Sequence, residues 1–243
     1  MSLTSSSELS RSHRRRAELA ANLAQVRSRI DAACAAAARD ASGVTLIAVT
    51  KTWPASDVAL LCGLGVTDFG ENRDAEAAPK AAACADLPIT WHFVGQLQTN
   101  KARSVARYAD VVHSVDRAHL AQALGAAARA AGRELTCLVQ VSLDGDPARG
   151  GVRPAGVPAI AGAVAAEPGL LLGGVMAVAP LGMAPADAFA PLRACSAAVR
   201  AVVAGATIVS AGMSADLEPA IDAGATHVRI GTALLGARRP HVM

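Results

Sequence analysis

Residues 44–49 are apolar at nearly every position, where a half-exposed strand would alternate apolar with polar, and Lys51 and Pro54 follow at once. Such a run predicts a strand covered on both faces, the kind found in parallel sheets. Before it, residues 8–39 are Ala-rich and free of helix breakers, with Leu9, Leu19, Leu23, Val26 and Ile30 at helical spacing. That pattern predicts one long amphipathic helix ending near Ser42 and Gly43. After the strand, Pro54, Ser56 and Asp57 read as the start of a helix over 57–64.

This strand–helix unit recurs with varied sequence. The strands VTDFGEN, ITWHFVG, ADVVHSV, LTCLVQVSL, LLLGGVMAV and TIVSAG precede helices from Arg73, Gln98, Arg117, Pro154, Pro185 and Ser214, and HVRIG precedes a short terminal helix. Strict alternation requires a parallel sheet, because each helix carries the chain back before the next strand begins. Eight units at this length predict an α/β fold, a single (β/α)8 TIM-type barrel, with an additional long N-terminal helix. No Gly-x-Gly-x-x-Gly follows the first strand, which disfavours a doubly wound dinucleotide-binding sheet. No Pro-rich or Gly/Ser-rich linker divides the chain. The expectation is one domain over 1–243, with a helical extension at 1–43, the barrel at 44–238, and no residues left for a second domain.

Composition narrows the function classes. Of 243 residues, 52% are hydrophobic and only 2% aromatic. No stretch approaches the roughly 18 consecutive apolar residues of a membrane span. Arg14, Arg15 and Arg16 follow a Ser cluster without the apolar region of a secretory signal. A net charge of +3, with scattered basic residues and few aromatics, argues against a nucleic-acid surface. Five cysteines, an odd number without a C-x-x-C pair, fit free thiols in a reducing cytoplasm and no metal site.

In a barrel of this kind the ligand site lies at the carboxyl ends of the strands. Those ends carry Lys51; Glu71 and Asn72; His92 and Gln96; His113 and Ser114; Gln140 and Ser142; Met176; Ser210, Gly212, Met213 and Ser214; and Arg229, Gly231 and Thr232. SAGMSAD and VRIGTALLG share one design: a buried strand runs into Gly with a hydroxyl residue beside it, then into a helix. Glycine allows close approach to the backbone, and amides at a helix start attract anions. Loops after the seventh and eighth strands commonly hold phosphate in barrels. Closure of the barrel would set those loops beside strand one. Lys51 can reach water by snorkelling. Facing a phosphorylated ligand with Arg229 nearby, it can also be a low-pKa amine able to attack an aldehyde as a Schiff-base lysine.

AVTKTWP, FGENRDAE, WHFVGQLQTNK, GVMAVAP and GMSADLEPAIDAGATHVRIGTALLGAR resemble, in order and spacing, the blocks of the pyridoxal phosphate homeostasis protein family, whose fold is similar to the barrel domain of bacterial alanine racemase. The resemblance runs from about residue 46 to residue 238. It implies that Lys51 carries pyridoxal 5′-phosphate as a Schiff base, and that Ser214, Gly231 and Thr232, with Ser210 and Met213 beside them, hold the phosphate end. It places Arg229 by the pyridine nitrogen, and Asn72 and His92 along the cofactor face. An arginine there donates to an unprotonated ring nitrogen, which makes the ring a poor electron sink. Two departures stand out: Gln96 replaces the proline usual in the WHF block, and ARGGVRP, residues 148–154, follows its block loosely. His113, His119 and His227 read as ordinary strand or helix residues.

The resemblance thus implies a cytoplasmic binding protein of pyridoxal phosphate homeostasis that holds the cofactor and delivers it to apo-enzymes, without robust catalytic activity, as a monomer or weak homodimer. An amino-acid racemase is the alternative. Racemases of this fold use a tyrosine from a second domain, and the sole tyrosine, Tyr108, falls near the end of the predicted third helix of the barrel, away from the strand ends. A Schiff-base aldolase acting on a sugar phosphate is a more distant alternative, since it too needs a lysine and a phosphate grip.

Overall fold

The structure, a computed structural model, describes residues 3–146, 149–180 and 182–237. Ala148, at the start of the departing segment, and Arg238, at the predicted limit of the barrel, lie outside the described residues, as does the side chain of Leu9.

Eight parallel strands close in chain order, β1 to β8: Thr45–Val49, Asp68–Glu71, Thr90–Phe93, Val111–Val115, Leu135–Val141, Leu170–Ala177, Ile208–Ser210 and His227–Ile230. β1 pairs with β8 as well as β2, with Ala48 level with Ile230 on one side and with Phe69 on the other. The helices are α1 (Leu3–Ala36), α2 (Ala55–Cys62), α3 (Asp74–Ala83), α4 (Ala102–Val105), α5 (Ala118–Ala130), α6 (Val157–Ala165), α7 (Pro185–Phe189), α8 (Leu192–Val202), α9 (Leu217–Asp222) and α10 (Thr232–Leu235). Among the described residues, no helix is long and apolar enough to cross a membrane.

α1 ends where Ala38 turns into the left-handed region at φ 52°, with Arg39 N–H bonding back to Cys34 O. Its stripe of Leu19, Leu23, Val26 and Ile30 is buried together with Leu217, Ile221, Leu234 and Leu235 of α9 and α10. The helix therefore packs on its own barrel, over α9 and α10, the helices that follow β7 and β8. The helix predicted from Pro185 is two, because Pro191 sits at the break, where its ring and missing N–H prevent a continuous helix. The helix predicted from Ser214 begins only at Leu217, because residues 214–216 form a turn in which the Asp216 carboxylate accepts the Met213 N–H at 2.5 Å.

Alternation along the strands sorts the barrel wall. Ala48, Phe69, Trp91, Val112, Val139, Val209, Val228 and Ile230 point out into the apolar clusters beneath the helices. Inside, Val111, Leu138 and Met176, with Ile208 against them, fill one side as a small apolar cluster. The other side of the interior is polar: Asp68, His92, His113, Ser210 and Arg229 are joined by hydrogen bonds across it.

Candidate functional site

Lys51 stands two residues past the end of β1 and is half-buried. Since Ala48 is level with Ile230, Lys51 and the Gly231–Thr232 step lie just beyond the same carboxyl edge of the barrel. The turn bearing the lysine is unusual. Trp53 N–H bonds to Thr50 O at 3.0 Å, and Thr52, its third residue, has φ 70°. A positive φ there marks a type II geometry that normally takes Gly or Asn, and for a β-branched residue it is strained by roughly 1–3 kcal/mol.

Four neighbours hold the turn in that shape. Thr50 is fully buried and its hydroxyl donates to Glu71 Oε1 at 2.7 Å. Lys80 ion-pairs with the same oxygen and donates to Thr50 O at 2.8 Å. Glu76 accepts the Thr52 N–H at 3.0 Å. Arg15 of α1 lies 4.5 Å over the Trp53 ring, pairs with Asp57 at 2.8 Å, and donates to Leu235 O of α10 at 3.1 Å. Burial pushes the Glu71 carboxyl above its ordinary value, with Lys80 and Thr50 pulling it back. Its second oxygen has no hydrogen-bond partner in the structure.

The two glycine loops meet each other. Ser214 Oγ accepts the Ala233 N–H at 3.2 Å, so the loop after β7 caps the first turn of α10. The first helical amide, that of Thr232, has no intrahelical acceptor. Gly212, at φ 88°, admits no side chain: a Cβ there would lie 2.6 Å from the Ala220 methyl. From α1, Arg29 donates to Ser214 O at 3.0 Å and Asn22 to Leu234 O at 3.0 Å. The α10 loop is thus held by the same helix that holds the lysine turn. Ser214 and Gly231 are half-buried; Met213 and Thr232 are exposed.

Arg229 points into the barrel and is 5% exposed. It donates to Ser210 Oγ at 2.7 Å and to Ala177 O at 2.9 Å. Burial lowers its pKa to about 10, with Asp216 acting in the opposite direction. Asn72 is half-buried at the end of β2, and its backbone lies so close to Gly95 that a Cβ there would come within 2.1 Å of Asn72 O. His92 is buried with both ring nitrogens engaged, Nε2 by Asp68 and Nδ1 by His113.

The structure therefore brings Lys51, Ser214, Gly231 and Thr232 to one edge, with Arg229 and Ser210 beneath it in the barrel. Sequence reasoning missed the supports Arg15, Thr50, Lys80 and Asp68, and read His113 as an ordinary strand or helix residue. For Asp68 and His113 the signal was an inward-facing polar residue within a buried strand, and for Arg15 an arginine on the packed stripe of α1; Lys80, on α3, and Thr50, just past β1, carried none. Tyr108 packs among the apolar clusters outside the barrel wall and its hydroxyl donates to Asp74 at 3.4 Å; burial raises its pKa. No cluster of three or more metal-ligating side chains occurs among the described residues.

Lys51 and the two glycine loops share one mouth of a closed parallel barrel, and the alanine racemase N-terminal domain family matches residues 16–239, which puts the chain in the class of alanine racemase-like barrels. Alanine racemase from Corynebacterium glutamicum shares the fold at a TM-score of 0.68 and 17% identity, covering 94% of this chain and 62% of that one. Much nearer relatives are called pyridoxal phosphate homeostasis protein. The one from Mycobacterium tuberculosis is 45% identical over 93% of this chain and 95% of its own length. The one from Escherichia coli is 39% identical over 91% and 97%. The structure of PipY of Synechococcus elongatus with PLP bound superposes with a TM-score of 0.78 at 36% identity, over 90% of this chain and all of that one. This chain belongs to the pyridoxal phosphate homeostasis protein family.

Proposed function

We propose that this chain holds pyridoxal 5′-phosphate covalently on Lys51, as a cytoplasmic reserve that delivers the cofactor to apo-enzymes. The observation that carries the reading is that Lys51, two residues past β1, lies across the closed seam from the loop after β8, to which the loop after β7 is bonded. The donor set fits the cofactor. An amine for the aldehyde, a hydroxyl and a first-turn amide for the phosphate, and a guanidinium for the ring nitrogen lie on adjacent strands. When bound, the cofactor supplies a reactive aldehyde and a conjugated ring. The protein supplies the attachment point, the anion grip at Ser214, Gly231 and Thr232, and a permanent hydrogen-bond donor in Arg229.

That last choice matters for what the protein does not need to do. A guanidinium keeps its proton, so it leaves a ring-nitrogen acceptor unprotonated and weakens electron withdrawal through the ring. Tyr108 is directed to Asp74, outside the barrel wall. Both features support holding over turning over. Asn72 and His92 belong to the same region, Asn72 at the β2 end and His92 lower in the interior. The barrel and its N-terminal helix together form a single domain, and α1, whose apolar face is covered by its own barrel, supports a monomer or weak homodimer.

The test is borohydride treatment followed by mass measurement of the intact protein and of its peptides. The expected result is a single adduct of cofactor mass on Lys51, lost in Lys51→Ala. An adduct of sugar-phosphate mass would establish the aldolase alternative, and retention of the adduct in Lys51→Ala would refute the reading. α-Hydrogen exchange of amino acids above the free-cofactor rate would replace the carrier with a racemase. Activation of an apo-aminotransferase by loaded protein, faster than by hydrolytic leakage alone, tests delivery.

A further inference from the structure

Five polar groups run single file through the barrel interior. Arg229 Nη1 donates to Ser210 Oγ at 2.7 Å; Ser210 Oγ lies 3.0 Å from His113 Nδ1; His113 Nε2 lies 2.9 Å from His92 Nδ1; and His92 Nε2 lies 3.0 Å from Asp68 Oδ1. His92, His113, Ser210 and Arg229 are each at least nine-tenths buried. Asp68 lies at the far end, on the wall of a cavity of about 460 Å³ at the amino ends of β1 and β2, which Arg27, Asp31 and Thr45 also line. The file therefore joins the amino-terminal face of the barrel to the arginine beneath the lysine mouth.

The two ends fix the direction of every bond between them. Burial alone would raise the Asp68 carboxyl, but hydrogen bonds from His92 and Thr67 outweigh it and hold it below its ordinary value, so Asp68 is ionised and only accepts. For a neutral imidazole at 92, Nε2 then carries the proton and Nδ1 must accept. His113 Nε2 must donate to it, which leaves His113 Nδ1 as the acceptor of the Ser210 hydroxyl. Burial, with the charge of Arg229 adding to it, keeps His113 neutral. The Ser210 proton is thereby turned away from Arg229, and its lone pair is presented to Nη1. Arg229 can only donate, so the file closes without a clash at either end. His227, whose ring centre is 6.3 Å from that of His92, also faces the file, and Asp216 acts on its Arg229 end.

We propose that Asp68, His92, His113 and Ser210 are positioning residues for Arg229: a one-directional hydrogen-bond chain that fixes the guanidinium's orientation from the opposite face of the barrel. The proposal rests on Arg229 facing the cofactor ring, as set out above. Ala177 O anchors Nη2, so a firm acceptor at Nη1 settles the plane of the guanidinium and the direction of its remaining donors. Loss of the terminal carboxylate would free the whole file to reverse, with Ser210 then receiving two donors and its own proton left without an acceptor.

Long-range 1H–15N spectra of the imidazoles in the cofactor-free full chain test the chain by itself. Both His92 and His113 should appear as Nε2–H tautomers; either one as the Nδ1–H tautomer or as the cation overturns the proposal. In loaded protein, Asp68→Ala should change the His113 tautomer signal and shift the visible band of the bound cofactor, whereas Asp68→Asn, which keeps an acceptor for His92, should restore both. Altered tautomers with an unmoved band would show that the chain ends short of Arg229 and would overturn it too. Should Asp68→Ala fail to fold, the spectra of the unmodified chain still decide. If no cofactor attaches to the unmodified chain, the reading of Lys51 fails while the tautomer measurement still stands.

Discussion

Replacing Lys80 with methionine removes one partner of the buried pair behind the lysine turn and keeps the side-chain length. The side chains of Lys80 and Glu71 are only 7% and 1% exposed, so water cannot take the place of the missing ammonium. Glu71 would be left with the Thr50 hydroxyl alone, its second oxygen already lacking a partner. An isolated buried carboxylate costs about 3–5 kcal/mol, but Glu71 can escape by binding a proton. At pH 7 that escape costs about 3 kcal/mol, from the distance between pH 7 and an ordinary glutamate value of 4.5 at roughly 1.4 kcal/mol per unit. The lost bond from Lys80 to Thr50 O adds about 1 kcal/mol. Lys80→Met should therefore destabilise the fold by about 4 kcal/mol at pH 7, relative to the unmodified chain.

The sign of the pH dependence follows from the raised carboxyl. In Lys80→Met the folded state holds a proton on Glu71 that the unfolded chain has released, throughout the range above the unfolded value. Stability then rises as pH falls through that range. The penalty should shrink to about 2 kcal/mol at pH 5. Urea unfolding at the two pH values measures both numbers, and Lys80→Met/Glu71→Gln, which removes both charges, should cost less than Lys80→Met alone. A penalty under about 1 kcal/mol at pH 7, a penalty that grows toward acid, or a double variant costlier than the single one would refute the reasoning.

His227 is held neutral by burial, and by His92, with its pKa lowered to about 4. The unfolded chain binds that proton at its ordinary value of 6.5, so stability should fall as pH drops from 6.5 toward 4, by roughly 3 kcal/mol in all; chemical denaturation should show that slope and His227→Asn should flatten it. Arg15→Ala removes the guanidinium from Trp53 and leaves Asp57, 4% exposed, without its ion pair, which should cost about 2–3 kcal/mol in thermal or urea unfolding. In the same variant, loss of the bond to Leu235 O should loosen the turn and α10 together, read as faster amide exchange at both.

The strands were legible because both faces are covered, and nearly unbroken apolar runs such as residues 44–49 and 135–139 alternate with helical segments along the chain. Lys51, Ser214, Gly231 and Thr232 were legible for a related reason. A charge or a glycine–hydroxyl pair at the end of a buried run interrupts a pattern that packing would otherwise continue. His92 and Arg229 could be singled out, but not their surroundings. Inward-facing positions recur every second residue in DFGE, TWHF and HVRI, yet which of them touch depends on strand neighbours and stagger, and one chain's order alone does not fix that stagger.

By itself, then, the sequence determined the strand–helix repeat, the closed parallel architecture and the polar residues that mark its carboxyl edge, because local periodicity and burial act on neighbours along the chain. Only the tertiary structure decided that α1 covers its own barrel, that Arg15 and Arg29 tie the lysine turn to the two glycine loops, and that Asp68 reaches Arg229 through two imidazoles and a hydroxyl. Those contacts join residues 19 to 220 positions apart. The shorter of these join neighbouring strands, whereas the longest, between α1 and α10 and between His113 and Ser210, exist only once the barrel has closed.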